Sequence, residues 1–165
     1  MVARISGEVR WAEESEALAE GVVAVPGGFP YPVTVARLGL ALLAVQRGDV
    51  AGATDQYSVL KDAPRMALLF ISTDRVLGLL CLTMGLLDKA EAHFEDALAF
   101  CRKAGYRPEL AWSLCEYADT LLERKGTGDR AKAMSLLDAS MKISRELKMK
   151  PLMERVLSKR EFLKA

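Results

Sequence analysis

The feature that most constrains this chain is a block of regularly placed small residues in LGLLCLTMGLLDKAEAHFEDAL, residues 77–98. Gly85 stands where a tight turn between two helices would form, because glycine adopts the backbone conformations that such turns need. Ala90 and Ala97 are small enough to let two helix axes approach closely, and Phe94 would fill the gap between them. The block therefore predicts a pair of closely packed helices.

The same arrangement recurs on both sides of this block. The turn, the close contact and the filling residue fall at Gly48, Ala53 and Tyr57 upstream and at Gly128, Ala133 and Leu137 downstream. The filling residues of the three copies are 37 and 43 residues apart. Repetition at such intervals is typical of stacked helical units, in which each unit buries its apolar face against the next.

A weaker fourth copy begins the chain. Gly7, Ala12 and Ala19 are in place, but Glu16 stands where the filling residue belongs, and a first helix is missing. A chain that starts within a repeat unit is expected to be the end of something larger. Residues 1–20 would then expose an unpaired second helix, and an open apolar face of this kind favours self-association. We therefore expect a homodimer through the N-terminal end.

Prolines mark the expected helix starts. Pro32, Pro108 and Pro151 each stand just before a periodic apolar stretch, where a missing amide hydrogen costs nothing. The composition of residues 26–32, PGGFPYP, indicates a loop. Residues 61–71 are ambiguous, because a short apolar run suits either a loop or a helical turn. Together these signals predict about eight helices and no sheet.

The three copies, together with the pair Leu77-Gly78, resemble the tetratricopeptide repeat family. The resemblance implies an all-α fold, a right-handed superhelix of stacked helical hairpins, in which the first helices line a concave groove that binds ligands. It implies one domain over residues 1–165. Its parts would be a partial repeat at 1–24, full repeats at 33–61, 72–104 and 109–147, and a capping helix at 151–164.

Residues 33–165 also resemble a more particular class, and the similarity is strongest from His93 onward. The blocks HFEDALAFCRKAGYRPELAWSLCEYADTLLERKGTGDRAKAMSLL and ISRELKMKPLMERVLSKREFLKA are similar to the C-terminal tails of large bacterial signalling proteins. Those proteins join a class III adenylate/guanylate cyclase or LuxR-type output domain, a STAND-type AAA ATPase and a tetratricopeptide tail. The resemblance implies a regulatory or scaffolding tail, with any cyclase or ATPase chemistry upstream.

Motifs for catalysis, for cofactors and for metals are not found, so we expect a non-enzymatic protein without a cofactor. Residues 126–131 imitate the dinucleotide fingerprint GxGxxA, but they follow a helix end and not a strand, which indicates an inter-helix turn. His93 is the one histidine and belongs to no HExxH motif, so we expect a packed or half-exposed helical residue. Cys81, Cys101 and Cys115 fall among apolar residues, which is typical of buried free thiols in a reducing compartment.

The resemblance implies which residues face the ligand groove. Counted from the Leu-Gly register, they are Leu38, Leu42, Gln46, Arg75, Leu79, Thr83, Trp112, Glu116 and Asp119. Two alternatives stay open at this point. Trp112 either lines the groove or is the packing tryptophan of its unit, and Arg75 either binds a ligand carboxylate or pairs with Asp74 or Glu109.

The net charge and the hydropathy of the chain limit the classes of partner that we expect. The net charge of +1 provides no overall field that would attract nucleic acid or a membrane. The longest apolar run, Leu77 to Leu87, is too short to cross a bilayer, and the first 20 residues have no apolar core of signal-peptide type. We therefore expect a cytoplasmic protein without a membrane partner.

Three functions from different classes stay open. The first is a regulatory module that binds a protein, a peptide or upstream domains of its own polypeptide. The second is a small-molecule sensor of a transcriptional or cyclase regulator. The third, which is less favoured, is nucleic-acid binding through the basic end of the chain, at Lys142, Arg145, Lys148, Lys150, Arg155, Lys159, Arg160 and Lys164.

Overall fold

The structure, a computed structural model, describes residues 9–63, 67–68 and 71–164. These residues form an all-α fold of packed helical hairpins with one very short pair of strands, which confirms the expected fold class. Eight helices are described: α1 (Val9–Val23), α2 (Pro30–Arg47), α3 (Val50–Leu60), α4 (Thr73–Thr83), α5 (Leu87–Ala104), α6 (Arg107–Arg124), α7 (Asp129–Glu146) and α8 (Lys150–Lys164). The strands are β1 (Ala67–Leu68) and β2 (Ile71–Ser72). Gly7 of the expected partial repeat lies outside the described residues, and so does the side chain of Ala12.

The two strands correct the prediction that the chain has no sheet. β1 and β2 pair antiparallel, with Ala67 opposite Ser72 and Leu68 opposite Ile71. They lie within and just after residues 61–71, the apolar run that was ambiguous between a loop and a helical turn. Periodicity cannot assign so short a run, because extended and helical segments of this length look alike in sequence.

The prolines fall in the first turns of their helices. α2 begins at Pro30, so Pro32 is already helical, and the last three residues of the predicted loop 26–32 belong to the helix. Pro108 and Pro151 are the second residues of α6 and α8. Proline is tolerated in a first turn because its missing amide hydrogen has no partner within the helix. The expected helix starts are therefore confirmed to within a few residues.

Glycines form the turns where the repeat pattern predicts them. Gly85 follows α4 with a φ of 73°, in the left-handed region that favours glycine. The Gly85 amide donates to the Leu82 carbonyl at 3.0 Å, and the Leu86 amide donates to the Cys81 carbonyl at 2.9 Å. Gly128, with a φ of 85°, lies between α6 and α7, so the GxGxxA run is an inter-helix turn as expected.

The chain divides into two compact units, Met1–Leu86 and Leu87–Ala165. In the first unit, α2 packs against α1, α3 and α4, and α3 also packs against α4. Tyr57, the predicted filling residue of this repeat, packs half-buried against the core. The buried core residues of this unit are Leu38, Ala41, Ala44, Ala53, Leu60, Ile71, Val76, Leu77 and Leu80.

In the second unit, α6 packs against both α5 and α7, and α7 packs against α8. Phe94 of α5 is fully buried, and its ring stacks on Tyr117 of α6 with centroids 5.7 Å apart and an interplanar angle of 9°. Leu137 of α7 is fully buried as well. The predicted close contacts, Ala90, Ala97 and Ala133, have no exposed surface. The predicted small and filling residues of this unit are therefore core residues.

The three cysteines are buried thiols, as the sequence predicted. Burial, followed by the nearby Asp119 carboxylate, raises the pKa of the Cys115 thiol to about 12. This thiol is therefore protonated at neutral pH. None of the helices in the described part of the chain combines the length and the apolar character that a membrane crossing requires.

Candidate interaction surfaces

The predicted groove residues of α2 differ in exposure. Leu38 belongs to the core of the first unit, and Leu42 packs half-buried against that core. Gln46, near the end of the helix, is exposed. Of these three side chains, Gln46 is the most accessible to a ligand.

The predicted groove residues of α4 are mostly buried. Arg75 and Leu79 have almost no exposed surface. Thr83 is half-buried, and its hydroxyl donates a hydrogen bond to the Leu79 carbonyl at 3.0 Å. Asp74 and Glu109, the two carboxylates considered as partners of Arg75, are buried too.

The predicted groove residues of α6 lie in the second unit. Trp112 is half-buried and Glu116 is fully buried. Asp119 is half-buried and pairs with two bases of α8, because Lys159 donates to its carboxylate and Arg155 lies 3.7 Å from it. The groove role of the nine residues stays a prediction.

A polar network that the sequence analysis missed connects three helices of the second unit. The Tyr117 hydroxyl lies 2.6 Å from a Glu91 carboxylate oxygen and 2.8 Å from one of Glu95. It accepts a hydrogen bond from Lys132 Nζ at 2.5 Å. Because the hydroxyl has one proton, it donates to one of the two carboxylates at a time. Lys132 also reaches both carboxylates at 3.0 Å.

Arg124 extends this network toward the α6–α7 turn. Its guanidinium donates to both Asp129 carboxylate oxygens, at 2.8 and 2.9 Å, and also to Glu91. Asp129 in turn accepts the Gly126 amide at 2.8 Å. Paired donors and acceptors of this kind hold the end of α6 and the start of α7 in one geometry.

The pKa values in the network follow from these contacts. The Tyr117 hydrogen bond, and then Arg124, lower the pKa of Glu91 to about 2. Arg124 lowers the pKa of Asp129 to about 2. Burial opposes the charged form of Lys132, but its hydrogen bonds to Tyr117, Glu91 and Glu95 outweigh burial, so its pKa is raised. Lys132 is therefore a cation and not a nucleophile at neutral pH, and the network supports the packing of α5, α6 and α7.

An open groove lies between α1 and α2 in the first unit. Its cavity volume is about 420 Å³, and it is lined by Leu18, Ala19, Val22, Tyr31, Pro32, Val35 and Ala36. Glu16, where the filling residue was missing, pairs with Arg47 at the other end of α2, with two carboxylate–guanidinium contacts of 2.5 and 2.7 Å. The middle of α1 therefore lies beside the C-terminal end of α2, and the groove is lined by the C-terminal half of α1 and the N-terminal half of α2.

Large apolar side chains are exposed on α1, at the start of α2 and in the turn between these helices. Leu18 is 74% exposed and Phe29, just before α2, is 83% exposed. Val25 and Tyr31 are also more than half exposed. A cluster of exposed apolar groups is typical of a surface that contacts another molecule. Leu18 and Ala19 belong to residues 1–20, the segment that was expected to self-associate, and that expectation stays a prediction.

The described residues contain no group of three or more His, Cys, Asp or Glu side chains arranged to hold a metal ion. These features define the class of the protein as all-α, with packed helical hairpins and an exposed apolar surface. Residues 69–146 match the family described as tetratricopeptide repeat, which supports this family for the segment from β2 to the end of α7. Repeats of this family generally mediate protein–protein interaction and are not catalytic. No curated protein and no solved structure matches the chain.

Proposed function

We propose that this chain is a non-enzymatic protein-interaction module with a regulatory role. The observation that carries the proposal is the tetratricopeptide repeat match over residues 69–146, which coincides with packed helical hairpins. Hairpin repeats present long surfaces made of several helices, and such surfaces suit macromolecular partners.

The proposed repeats assign the helices to pairs. α1 belongs to the partial repeat 1–24, and α2 and α3 form the repeat 33–61. The residues of α4 and α5 fall within the proposed repeat 72–104, and those of α6 from Glu109 onward and of α7 fall within the proposed repeat 109–147. α8 is the capping helix at 151–164.

The proposed partner is a protein, a peptide or upstream domains of the same polypeptide. The similarity of residues 33–165 to tails of bacterial signalling proteins supports a cytoplasmic role in which the array receives or transmits a signal for an output domain. A macromolecular partner is favoured over a small molecule by the shape of the α1–α2 groove. That groove is open and apolar, whereas small-molecule sites usually enclose the ligand and provide several convergent polar groups.

The test begins with peptides selected by display against the purified chain, followed by calorimetric titration of the selected peptides. Gln46→Lys changes an exposed residue of the predicted groove face and should weaken peptide binding by roughly tenfold, the factor that about 1.4 kcal/mol represents. Ser58→Lys introduces the same charge at an exposed position of α3 and should leave binding unchanged.

If the selected peptides bind Gln46→Lys and Ser58→Lys equally well, the predicted ligand groove that includes Gln46 is not the binding surface. Failure of a diverse library to yield any peptide that binds would reject peptide recognition by this chain.

A further inference from the structure

We propose that a basic edge of the second unit binds an acidic segment of a partner protein. The edge lies where α5 and α7 end. Its five bases are exposed and have no acidic partner among the described residues: Arg102, Lys103, Lys142, Arg145 and Lys148. This inference rests on the proposed protein-interaction function, and it specifies a surface and the charge of the partner.

The contacts of α6 show that α5 and α7 end on the same side of the unit. Near the end of α6, Arg124 pairs with Glu91 at the start of α5 and with Asp129 at the start of α7. At the other end of α6, Arg107 pairs with Glu146 in the last turn of α7. A short turn joins the end of α5 to the start of α6. α5 and α7 therefore run in the same direction, and both end beside the start of α6.

The bases of α5 and α7 also lie at the same level along these helices. Lys132, near the start of α7, contacts two glutamates of α5 that lie 37 and 41 residues earlier in the sequence. The same offsets place Lys103 of α5 level with residues 140–144 of α7. Lys142 lies within this segment and Arg145 directly follows it, and residues three apart share a helix face. The bases of the two helices therefore belong to one surface.

Groups within the unit neutralise only part of this charge. Glu146 pairs with Arg107 of α6, Glu154 of α8 lies 3.9 Å from Lys150, and Glu109 of α6 is buried. The carboxyl end of a helix attracts bases too, but each such end carries only about half a negative charge. The ends of α5 and α7 together therefore offset about one of the five positive charges. The remaining like charges repel one another, so the edge favours a negatively charged partner.

An acidic peptide suits this edge better than a nucleic acid or a membrane does. Leu147, which follows the end of α7 among these bases, is 37% exposed. A peptide side chain can cover this leucine while carboxylates contact the bases around it, which gives the apolar centre and polar rim of a protein interface.

The two other classes of anionic partner need features that differ from those of the edge. Single-stranded nucleic acid binds largely by stacking its bases on aromatic side chains, and Tyr106, the aromatic residue of the turn between α5 and α6, is half-buried. Helices that lie on a membrane bury a long apolar face, whereas the described residues of the edge expose a single large apolar side chain, Leu147. Both classes are therefore tested as alternatives.

The experiment is fluorescence anisotropy of the full chain with a fluorescein-labelled peptide in which glutamates surround a central leucine. The wild type should bind this peptide, and rising salt should weaken the binding because it screens exposed charges. A second peptide with glutamine in place of each glutamate keeps the size and the leucine but removes the charge. It should bind more weakly by roughly tenfold or more.

Charge reversals on the two helices locate the binding surface. Lys103→Glu on α5 and Arg145→Glu on α7 should each weaken binding of the glutamate peptide by roughly tenfold or more. The matched control is Lys89→Glu, because Lys89 is an exposed base at the opposite end of α5. This variant has the same net charge as the other two and should bind as the wild type does. Circular dichroism checks that each variant is folded.

Three results would overturn the inference. The first is wild-type affinity of Lys103→Glu or Arg145→Glu for the glutamate peptide. The second is an equal loss of affinity in Lys89→Glu, which would mean that net charge and not the basic edge determines binding. The third is tighter binding of single-stranded oligodeoxythymidine or of phosphatidylserine vesicles than of the peptide, lost in Arg145→Glu. That result would assign the edge to nucleic acid or to a membrane.

The outcome is separable from that of the proposed function. If display-selected peptides bind through Gln46 and the glutamate peptide does not bind, the basic edge is rejected and the interaction function stands. If neither kind of peptide binds, both proposals are rejected.

Discussion

At the scale of single residues, the stacked rings of Phe94 and Tyr117 lie at the centre of the second unit. Phe94 has no exposed surface, so Phe94→Ala should leave a cavity and lower the free energy of unfolding by about 3–5 kcal/mol. Urea denaturation measures the loss. Phe100→Ala, at a half-buried position of the same helix, should cost clearly less. A loss below about 1 kcal/mol for Phe94→Ala would mean that the repeat register is wrong.

Glu91 makes the free energy of unfolding depend on pH in the acidic range. Its pKa lies at about 2 in the folded chain, below the ordinary 4.5. Its contribution is therefore present above pH 4.5 and is lost as the pH falls toward 2. Glu91→Gln should remove about 1–3 kcal/mol at neutral pH and flatten the decline of stability in that interval. Denaturation curves at several pH values test this.

Glu154→Gln is the control for Glu91→Gln, because it removes a carboxylate whose side chain is 65% exposed. It should leave the pH profile close to that of the wild type. If the two variants decline alike on acidification, the polar network does not account for the acid sensitivity.

At the scale of the elements, the end of α6 has an unusual backbone. Lys125 caps this helix with a φ of 56°, where a side chain costs free energy and glycine does not. Lys125→Gly should therefore raise the free energy of unfolding by about 0.5–1 kcal/mol. Lys142→Gly, at an exposed position before the last turn of α7, should lower it by about 1 kcal/mol. Destabilisation by Lys125→Gly in a thermal melt would contradict the cap.

The same elements show how far local sequence signals reach. Prolines and glycines predicted helix starts and turns because they act on the backbone of a few neighbouring residues. Such signals could not predict β1 and β2, since two-residue strands form only when their neighbours bring them together. The α1–α2 groove was missed for a related reason, because its walls come from two helices whose alignment depends on packing.

At the scale of the whole molecule, the repeat pattern predicted the fold because each repeat places small and large residues at matching positions. The polar network was not predictable in this way. Its residues come from three helices, and each alone is an ordinary surface or core residue. They include Glu91, Tyr117, Arg124, Asp129 and Lys132. Only the relative rotation of those helices brings their polar groups together. The ligand-groove residues were predicted from the register of the repeat family. Their exposure varies because the register does not determine how deeply each side chain is buried.

Because the three cysteines are buried, the rate at which a reagent modifies each thiol reports how often the surrounding unit opens. A thiol reagent can reach Cys81 only when the first unit opens, and it can reach Cys101 or Cys115 only when the second unit opens. Modification rates therefore count opening events in each unit. In variants that keep one cysteine, the modification rates of the two units should rise over the same range of denaturant concentration if the units open cooperatively. The rates should rise over different ranges if the units open independently. Mass spectrometry of the modified chain would measure the modification rate in each unit.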